Sequence, residues 1–84
     1  MHRTTERFWK CFSNLSEPVQ KIAKKNFEIL RINPTHPSLY FKRVGNFHSV
    51  RIGLNYRALA VKDNEDFIWV WIGSHDDYDQ LLKG

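Results

Sequence analysis

Residues 56–72 read YRALAVKDNEDFIWVWI and carry the clearest structural pattern in the chain. Two runs of strand-forming residues, Tyr56–Lys62 and Phe67–Ile72, flank the polar segment Asp63-Asn64-Glu65-Asp66. Aromatic and β-branched runs that are separated by a short polar segment are typical of neighbouring strands. Because so short a connection reverses the chain, the stretch predicts two adjacent antiparallel strands.

Alternation along the first of these strands predicts which face of the sheet the helices cover. Tyr56, Ala58 and Ala60 fall on one face, and Arg57 falls on the other. Small alanine side chains allow a helix to pack closely against a sheet. We therefore expect the helices on the alanine face and Arg57 on the open face.

The second strand is apolar on both faces, which indicates a central strand that is covered twice. Regular alternation places Trp69 and Trp71 on one face and Ile68, Val70 and Ile72 on the other. This is more apolar surface than a short chain easily covers. Large exposed apolar patches mark interaction surfaces, so we expect a partner protein beside this strand.

The sequence before residue 56 predicts two further strands, Leu39–Val44 and Phe47–Ile52, joined by the hairpin signal Gly45-Asn46. In the second of them, Arg51 alternates with apolar residues and therefore faces the open side together with Arg57.

The remaining segments predict helices. Thr4 or Thr5 can cap a first helix that ends near Leu15, and Ser16 can cap a second that stops before Pro34. Ser74 can cap a short last helix. The predicted fold is therefore α+β, with two N-terminal helices, a four-stranded largely antiparallel sheet and a short C-terminal helix.

Length and composition fit one small domain spanning residues 1–84, with a mass of 10.0 kDa. The single cysteine, Cys11, cannot form an internal disulfide, which argues against a small secreted scaffold. No apolar run reaches the roughly 18 residues of a membrane span, and the first residues are polar. We expect a cytoplasmic protein.

Charge is distributed unevenly along the chain. The net charge is +4, but residues 1–57 hold eleven Lys and Arg against three acids, whereas residues 58–84 hold two against six. A basic front of this kind is typical of a surface that contacts a polyanion such as nucleic acid.

Metal and cofactor sites are not predicted. The four histidines have no paired ligand spacing, Cys11 has no companion, and four scattered glycines build no phosphate-binding loop. The polar residues that remain for chemistry are Arg51, Arg57, His75 and Tyr78, and the neighbouring candidates for nucleic-acid binding are Lys42, Arg43 and His48.

These residue types suit RNA cleavage without a metal ion. A base takes the 2′-hydroxyl proton, an acid protonates the leaving 5′-oxygen, and cations hold the phosphate while negative charge develops. Histidine suits proton transfer, and arginine binds phosphate oxygens in pairs. Structural roles remain open: salt bridges for Arg51 and Arg57, a helix start for His75 and ring packing for Tyr78.

The order of elements resembles the RelE/ParE toxin superfamily of bacterial type II toxin–antitoxin systems. The resemblance rests on residues 36–42 (HPSLYFK), 49–52 (SVRI), 55–59 (NYRAL) and 71–78 (WIGSHDDY). It implies a small toxin that a cognate antitoxin neutralises by wrapping it.

Two activities occur among proteins that this chain resembles. RelE-like members cut messenger RNA on the ribosome without a metal, using basic residues of the middle strands and a residue near the last helix. Arg51 and Arg57 match the strand positions, and His75 and Tyr78 match the late region. ParE-like members instead poison DNA gyrase.

The chain also departs from the RelE-like pattern. Asp76 and Asp77 stand where several RelE-like toxins carry basic residues, and Ser49 stands where some have a second cation. These departures leave two alternatives open, a gyrase inhibitor and a non-catalytic protein of the same fold. The basic residues favour an mRNA endonuclease as the function.

Overall fold

The structure is a computed structural model that describes residues 2–83 and contains three α-helices, a short 3₁₀ helix and one five-stranded sheet. The outer residues of the predicted domain, Met1 and Gly84, lie outside the described residues. In chain order the elements are β1 (His2–Thr4), α1 (Glu6–Ser13), α2 (Glu17–Ile32), the 3₁₀ helix (Pro37–Leu39), β2 (Lys42–Val44), β3 (Phe47–Ile52), β4 (Tyr56–Asp63), β5 (Asp66–Ser74) and α3 (His75–Lys83).

The helices begin at the residues that the sequence predicts. The Phe8 N–H donates to the Thr5 side-chain oxygen at 3.2 Å, so Thr5 caps α1. The Asp77 N–H donates to Ser74 Oγ at 3.2 Å in the same way at the start of α3. Ser16 precedes α2, although its side chain makes no capping hydrogen bond. These caps satisfy backbone donors that a helix start leaves free.

The strands lie in the order β1-β5-β4-β3-β2. Strands β2 to β5 are antiparallel to their chain neighbours, and β1 runs parallel to β5. The α+β class is confirmed, and β5 is an interior strand between β1 and β4, as predicted, but the sheet has five strands and not the predicted four. Sequence patterning misses β1 because a three-residue polar segment shows no alternation.

The predicted strand Leu39–Val44 is correct only from Lys42 onward. Pro37–Leu39 forms the 3₁₀ helix instead, and Tyr40 follows in the left-handed region at φ 49° and ψ 45°. Proline fixes its own φ and lacks an N–H for a strand ladder. Leu39 is fully buried in the core, so the chain turns here to place this side chain inward.

Helices α1 and α2 cover the alanine face of the sheet, as predicted. Ala58 and Ala60 are completely buried there. The core cluster on this face also contains residues of the helices, of the 3₁₀ helix and of strands β3 and β5: Phe8, Phe12, Ala23, Leu30, Leu39, Val50, Ile52, Trp69 and Ile72.

The prediction that Trp69 and Trp71 share a face is wrong. The ladder between β4 and β5 shifts register so that Leu59 pairs with Trp71 and Ala60 pairs with Trp69. One extra residue of β5 at this bulge reverses the alternation beyond it. Trp69 is therefore buried in the core, and Trp71 lies half-buried on the opposite face beside Leu59.

Among residues 2–83, no helix is both long enough and apolar enough to cross a membrane.

Candidate functional site

The candidate site lies on the sheet face opposite α1 and α2 and is centred on two arginines. Arg51 of β3 and Arg57 of β4 are directly paired across the two strands, so their side chains leave the sheet on the same side. Within residues 2–83 neither side chain forms an ion pair with a carboxylate. The structural role that the sequence left open for them, a salt bridge to the acidic end of the chain, is therefore not found.

Arg57 lies in a partly desolvated position. Burial, together with the positive charge of Arg51, lowers the pKa of Arg57, whereas Tyr78 and Asp79 of α3 act to raise it. One guanidinium nitrogen, Nη1, donates to the Tyr56 carbonyl at 2.8 Å and so fixes the side chain. These interactions place α3 beside the arginine pair.

Arg51 carries an unused hydrogen-bond donor. Its Nε is buried and has no hydrogen-bond partner among the described residues. Its guanidinium carbon lies 4.8 Å from the centre of the Tyr40 ring. Its carbonyl accepts a hydrogen bond of 2.9 Å from the side chain of Asn26, a buried residue of α2. The backbone of Arg51 is thus tied to the helix layer.

The start of α3 brings His75 and Tyr78 to the same region. The His75 N–H donates to the Asn55 carbonyl at 2.7 Å, which joins α3 to the turn before β4. Nδ1 of His75 lies 3.3 Å from an Asp79 carboxylate oxygen, and the His75 and Tyr78 ring centres are 6.1 Å apart. His75 is exposed and Tyr78 is buried.

An open cavity of about 380 Å³ connects the start of β4 to the start of α3. Arg57 and His75 both line it, with Asp76 at the same place. One cation that can hold a phosphate, Arg57, and an imidazole that can move a proton therefore share one solvent-accessible space.

The predicted nucleic-acid-binding residues divide between the two faces. Lys42 pairs with Ser49 on the arginine side, and its Nζ lies 5.7 Å from the Tyr40 ring centre. Arg43 and His48 pair with each other, and His48 pairs with the buried Ala60. The structure therefore places Lys42 near the arginine pair and places Arg43 and His48 on the opposite, helix-covered side of the sheet.

His48 lies in an apolar environment, away from the arginine pair. Its ring contacts the rings of Phe41 and Phe67, with centre distances of 5.9 and 5.0 Å. Burial lowers the pKa of His48, and the positive charges of Arg43 and Lys62 lower it further. An imidazole among apolar rings and cations is suited to packing in its neutral form.

Sequence reasoning missed Tyr40 and Asn26. Tyr40 lay inside a predicted strand, where its left-handed backbone gives no signal. Asn26 lay on an amphipathic helix, where a polar residue is ordinary. Within residues 2–83, no group of three or more His, Cys, Asp and Glu side chains is placed to hold a metal ion.

Solved structures with the same architecture include toxins crystallised alone and with antitoxins. The RelB-RelE antitoxin-toxin complex from Methanococcus jannaschii matches with a TM-score of 0.74 at 16% identity, over 94% of this chain and 96% of that chain. YafQ from E. coli strain BL21(DE3) matches with a TM-score of 0.74 at 8% identity, over 93% and 96% of the two chains. The isolated E. coli RelE toxin matches with a TM-score of 0.64 at 16% identity, over 99% and 95%.

At these identities the structural matches show a shared fold. A comparison with curated protein sequences finds no match. The family model described as the ParE-like toxin domain matches residues 17–80, from the start of α2 into α3. The chain therefore belongs to the ParE-like toxin domain family, and so to the RelE/ParE superfamily of toxins.

Proposed function

We propose that this protein is the toxin of a type II toxin–antitoxin pair and that it cleaves messenger RNA on the ribosome. In this proposal residues 1–84 form one toxin domain that acts in the cytoplasm. The observation that carries the proposal is the arginine pair: two adjacent, half-buried arginines on the sheet face opposite α1 and α2, without a carboxylate in ion-pair range in residues 2–83, beside the histidine of α3.

The cations supply the binding step of the proposed reaction. Arg51 and Arg57 hold the non-bridging oxygens of the scissile phosphate through their terminal guanidinium nitrogens, because the Arg51 Nε is buried. Because charge accumulates on these oxygens as the 2′-oxygen attacks phosphorus, the arginines stabilise the transition state more than the ground state. Lys42 extends the positive surface along the strand.

His75 supplies proton transfer. A proton on Nδ1 directed at Asp79 leaves Nε2 free to take the proton of the 2′-hydroxyl. The 2′-oxygen then forms a bond to phosphorus while the bond to the 5′-oxygen breaks, which leaves a 2′,3′-cyclic phosphate. The leaving 5′-oxygen takes a proton from water, and His75 returns the proton that it accepted to solvent. Tyr78 is buried below this arrangement and close to Arg57, so its role is to hold Arg57 and His75 in place. No metal or cofactor enters this mechanism.

The partner that we propose is an antitoxin covering the sheet face and α3. Trp71 is half-buried on this face, and Leu81 and Leu82 of α3 are exposed. The similar structures from Methanococcus jannaschii and from Pyrococcus horikoshii OT3 are complexes of RelE with RelB, which supports an antitoxin as the partner here. A bound antitoxin in this position would also block access to the arginine pair.

Inhibition of DNA gyrase is the second candidate function. It is favoured by the ParE-like description of the family model and by the carboxylates of α3. Asp76 lines the cavity next to Arg57, and a carboxylate in that place opposes a bound phosphate. A toxin that binds a protein target has no such conflict.

Induced expression in bacteria separates these functions. We expect translation to stop and coding regions of mRNA to be cut in cells that make the unchanged protein, and not in cells that make the Arg57→Ala variant at equal soluble level. Intact mRNA together with accumulated gyrase–DNA breaks would transfer the assignment to gyrase. Unaffected growth at high soluble expression would indicate a non-catalytic protein.

A further inference from the structure

Tyr40 combines an unfavourable backbone with an exposed ring. Its φ of 49° lies in the left-handed region, which bulky residues rarely occupy. The residue is 59% exposed, so burial of the ring does not compensate for this conformation. Its neighbours hold it there, since Leu39 is fully buried and Phe41 packs against the core. Strained residues of this kind cluster at functional sites.

The Tyr40 ring lies among cations of the candidate site. The Arg51 guanidinium is 4.8 Å from its centre and Lys42 Nζ is 5.7 Å from it. These contacts are within the range of cation–π interactions. The left-handed turn therefore places an aromatic surface directly beside the arginine pair.

A groove of about 740 Å³ begins at this ring, with Tyr40 and Lys42 in its wall. Its other walls are the segment before the 3₁₀ helix, Phe41 and Phe67, which lie on the side of the sheet that carries His48, so the groove leads from the ring away from the arginine pair. An aromatic ring next to cations and an open groove matches single-stranded nucleic acid, whose bases stack on aromatic side chains while its phosphates contact cations.

We propose that Tyr40 stacks with an unpaired RNA base next to the phosphate that Arg51 and Arg57 hold. Tyr40 is then a substrate-binding residue that fixes which phosphate of the strand reaches His75. This inference rests on the proposed function, because it takes the same RNA as its ligand, and it adds the binding position of one base.

Two substitutions at position 40 distinguish the effect of the aromatic ring from the effect of the left-handed backbone conformation. Tyr40→Asn removes the ring but keeps a residue that tolerates the left-handed region, so the variant should fold at least as stably as the unchanged chain. Tyr40→Phe keeps the ring without the hydroxyl. With the full chain and a short fluorescent single-stranded RNA, we expect Tyr40→Asn to weaken binding about tenfold and Tyr40→Phe to bind like the unchanged protein.

Tyr40 could strengthen RNA binding either by stacking with a base or by positioning the Arg51 side chain. An RNA of equal length that lacks its bases distinguishes these two roles. If Tyr40 stacks, Tyr40→Asn has no effect on binding of the abasic strand, whereas Arg57→Ala still weakens it. Equal weakening of both strands by Tyr40→Asn would show that the ring only positions Arg51, and the inference would be overturned.

The same titrations separate this inference from the proposed function. If the unchanged protein binds RNA and Arg57→Ala weakens that binding, but Tyr40→Asn does not, only the role of Tyr40 is wrong. If the unchanged protein binds no free RNA, the stacking role is wrong, whereas the ribosome-dependent endonuclease is judged separately by the cutting of mRNA in cells that make the protein.

Discussion

Arg51 and Arg57 face each other directly across β3 and β4, with no carboxylate in ion-pair range within residues 2–83. Like charges that are paired across strands destabilise a sheet. Burial and the positive charge of Arg51 lower the pKa of Arg57, so the neighbouring cation disfavours the charge of Arg57. A bound anion would remove this repulsion, which is the physical reason for placing a phosphate here.

Replacing Arg57 by alanine should affect activity far more than stability. Loss of one hydrogen-bond donor to a transition-state oxyanion costs about 2.7–4 kcal/mol, so cleavage of ribosome-bound mRNA should fall roughly a hundred- to a thousandfold. The free energy of unfolding should change by less than about 1 kcal/mol, since relief of repulsion from Arg51 offsets the hydrogen bond to Tyr56. Cleavage assays and thermal unfolding measure the two effects.

Arg7→Ala is the matched control, because Arg7 is exposed on α1, on the other side of the sheet. It should retain full cleavage. A folded Arg57→Ala variant with full activity would remove Arg57 from the site, and a large fall in melting temperature would make it a structural residue.

The sequence was sufficient to predict what depends on regular alternation. Ala58 and Arg57 are adjacent residues on opposite faces of β4, and the structure buries the first under the helices while the second faces the site. The helix caps Thr5 and Ser74 could be predicted because each side chain accepts a hydrogen bond from a backbone N–H only three residues further along the chain. Because α3 directly follows β5, the order of the elements also predicts that α3 lies close to the arginines.

The features that were missed depend on contacts that are distant in sequence. The bulge that separates Trp69 from Trp71 leaves no mark in an apolar strand. Tyr40 turns because the neighbouring Leu39 enters the core, which alternation does not reveal. His48 is a candidate for nucleic-acid binding because it lies near the arginines in sequence, and only the three-dimensional structure shows that its ring contacts Phe41 and Phe67.

Ala60→Leu tests the close packing of helices on the sheet. Ala60 is completely buried in the core cluster, opposite Trp69 on β5. A larger side chain forces neighbouring groups away, so the free energy of unfolding should fall by about 1–3 kcal/mol in a denaturant titration. Val61→Leu, at a half-buried position on the other face, should cost clearly less. Equal losses would contradict close packing on the alanine face.

Gly73→Ala tests the contact between Gly73 and the Trp71 ring. A methyl group at position 73 would lie 2.5 Å from Cζ2 of Trp71, so the ring must move. We expect a loss of about 1–2 kcal/mol in unfolding free energy and a changed tryptophan emission. In a Trp71→Ala background the same substitution should cost much less. Additive losses would show that the two residues do not interact.

The stability of the folded protein should fall in mild acid because His48 becomes protonated. Its pKa in the folded protein is lowered from 6.5 by burial and by Arg43 and Lys62, so the unfolded chain binds this proton more readily. The stability that depends on neutral His48 is complete above pH 6.5 and is lost as the pH falls below it. Melting temperatures measured between pH 7.5 and 5 should therefore fall more steeply for the unchanged protein than for His48→Gln. Parallel curves would show that His48 titrates normally.

Asp79→Asn should separate RNA binding from cleavage. The Asp79 carboxylate acts on Arg57 as a nearby negative charge, so its removal should strengthen binding of a short single-stranded RNA by about two- to fivefold. The same carboxylate lies 3.3 Å from His75 Nδ1, and without it the imidazole loses the acceptor that orients its proton. Cleavage of bound RNA should therefore fall although binding improves.

Glu17→Gln is the control for charge alone, because Glu17 is exposed at the start of α2 and pairs only with Lys21 among the described residues. It should change neither binding nor cleavage. If Asp79→Asn instead weakened binding and left the cleavage rate of bound RNA unchanged, Asp79 would contribute to the RNA surface and His75 would need no partner. If both properties stayed unchanged, the contact between His75 and Asp79 would have no part in the reaction, and proton transfer would have to be assigned to another group at the arginine pair.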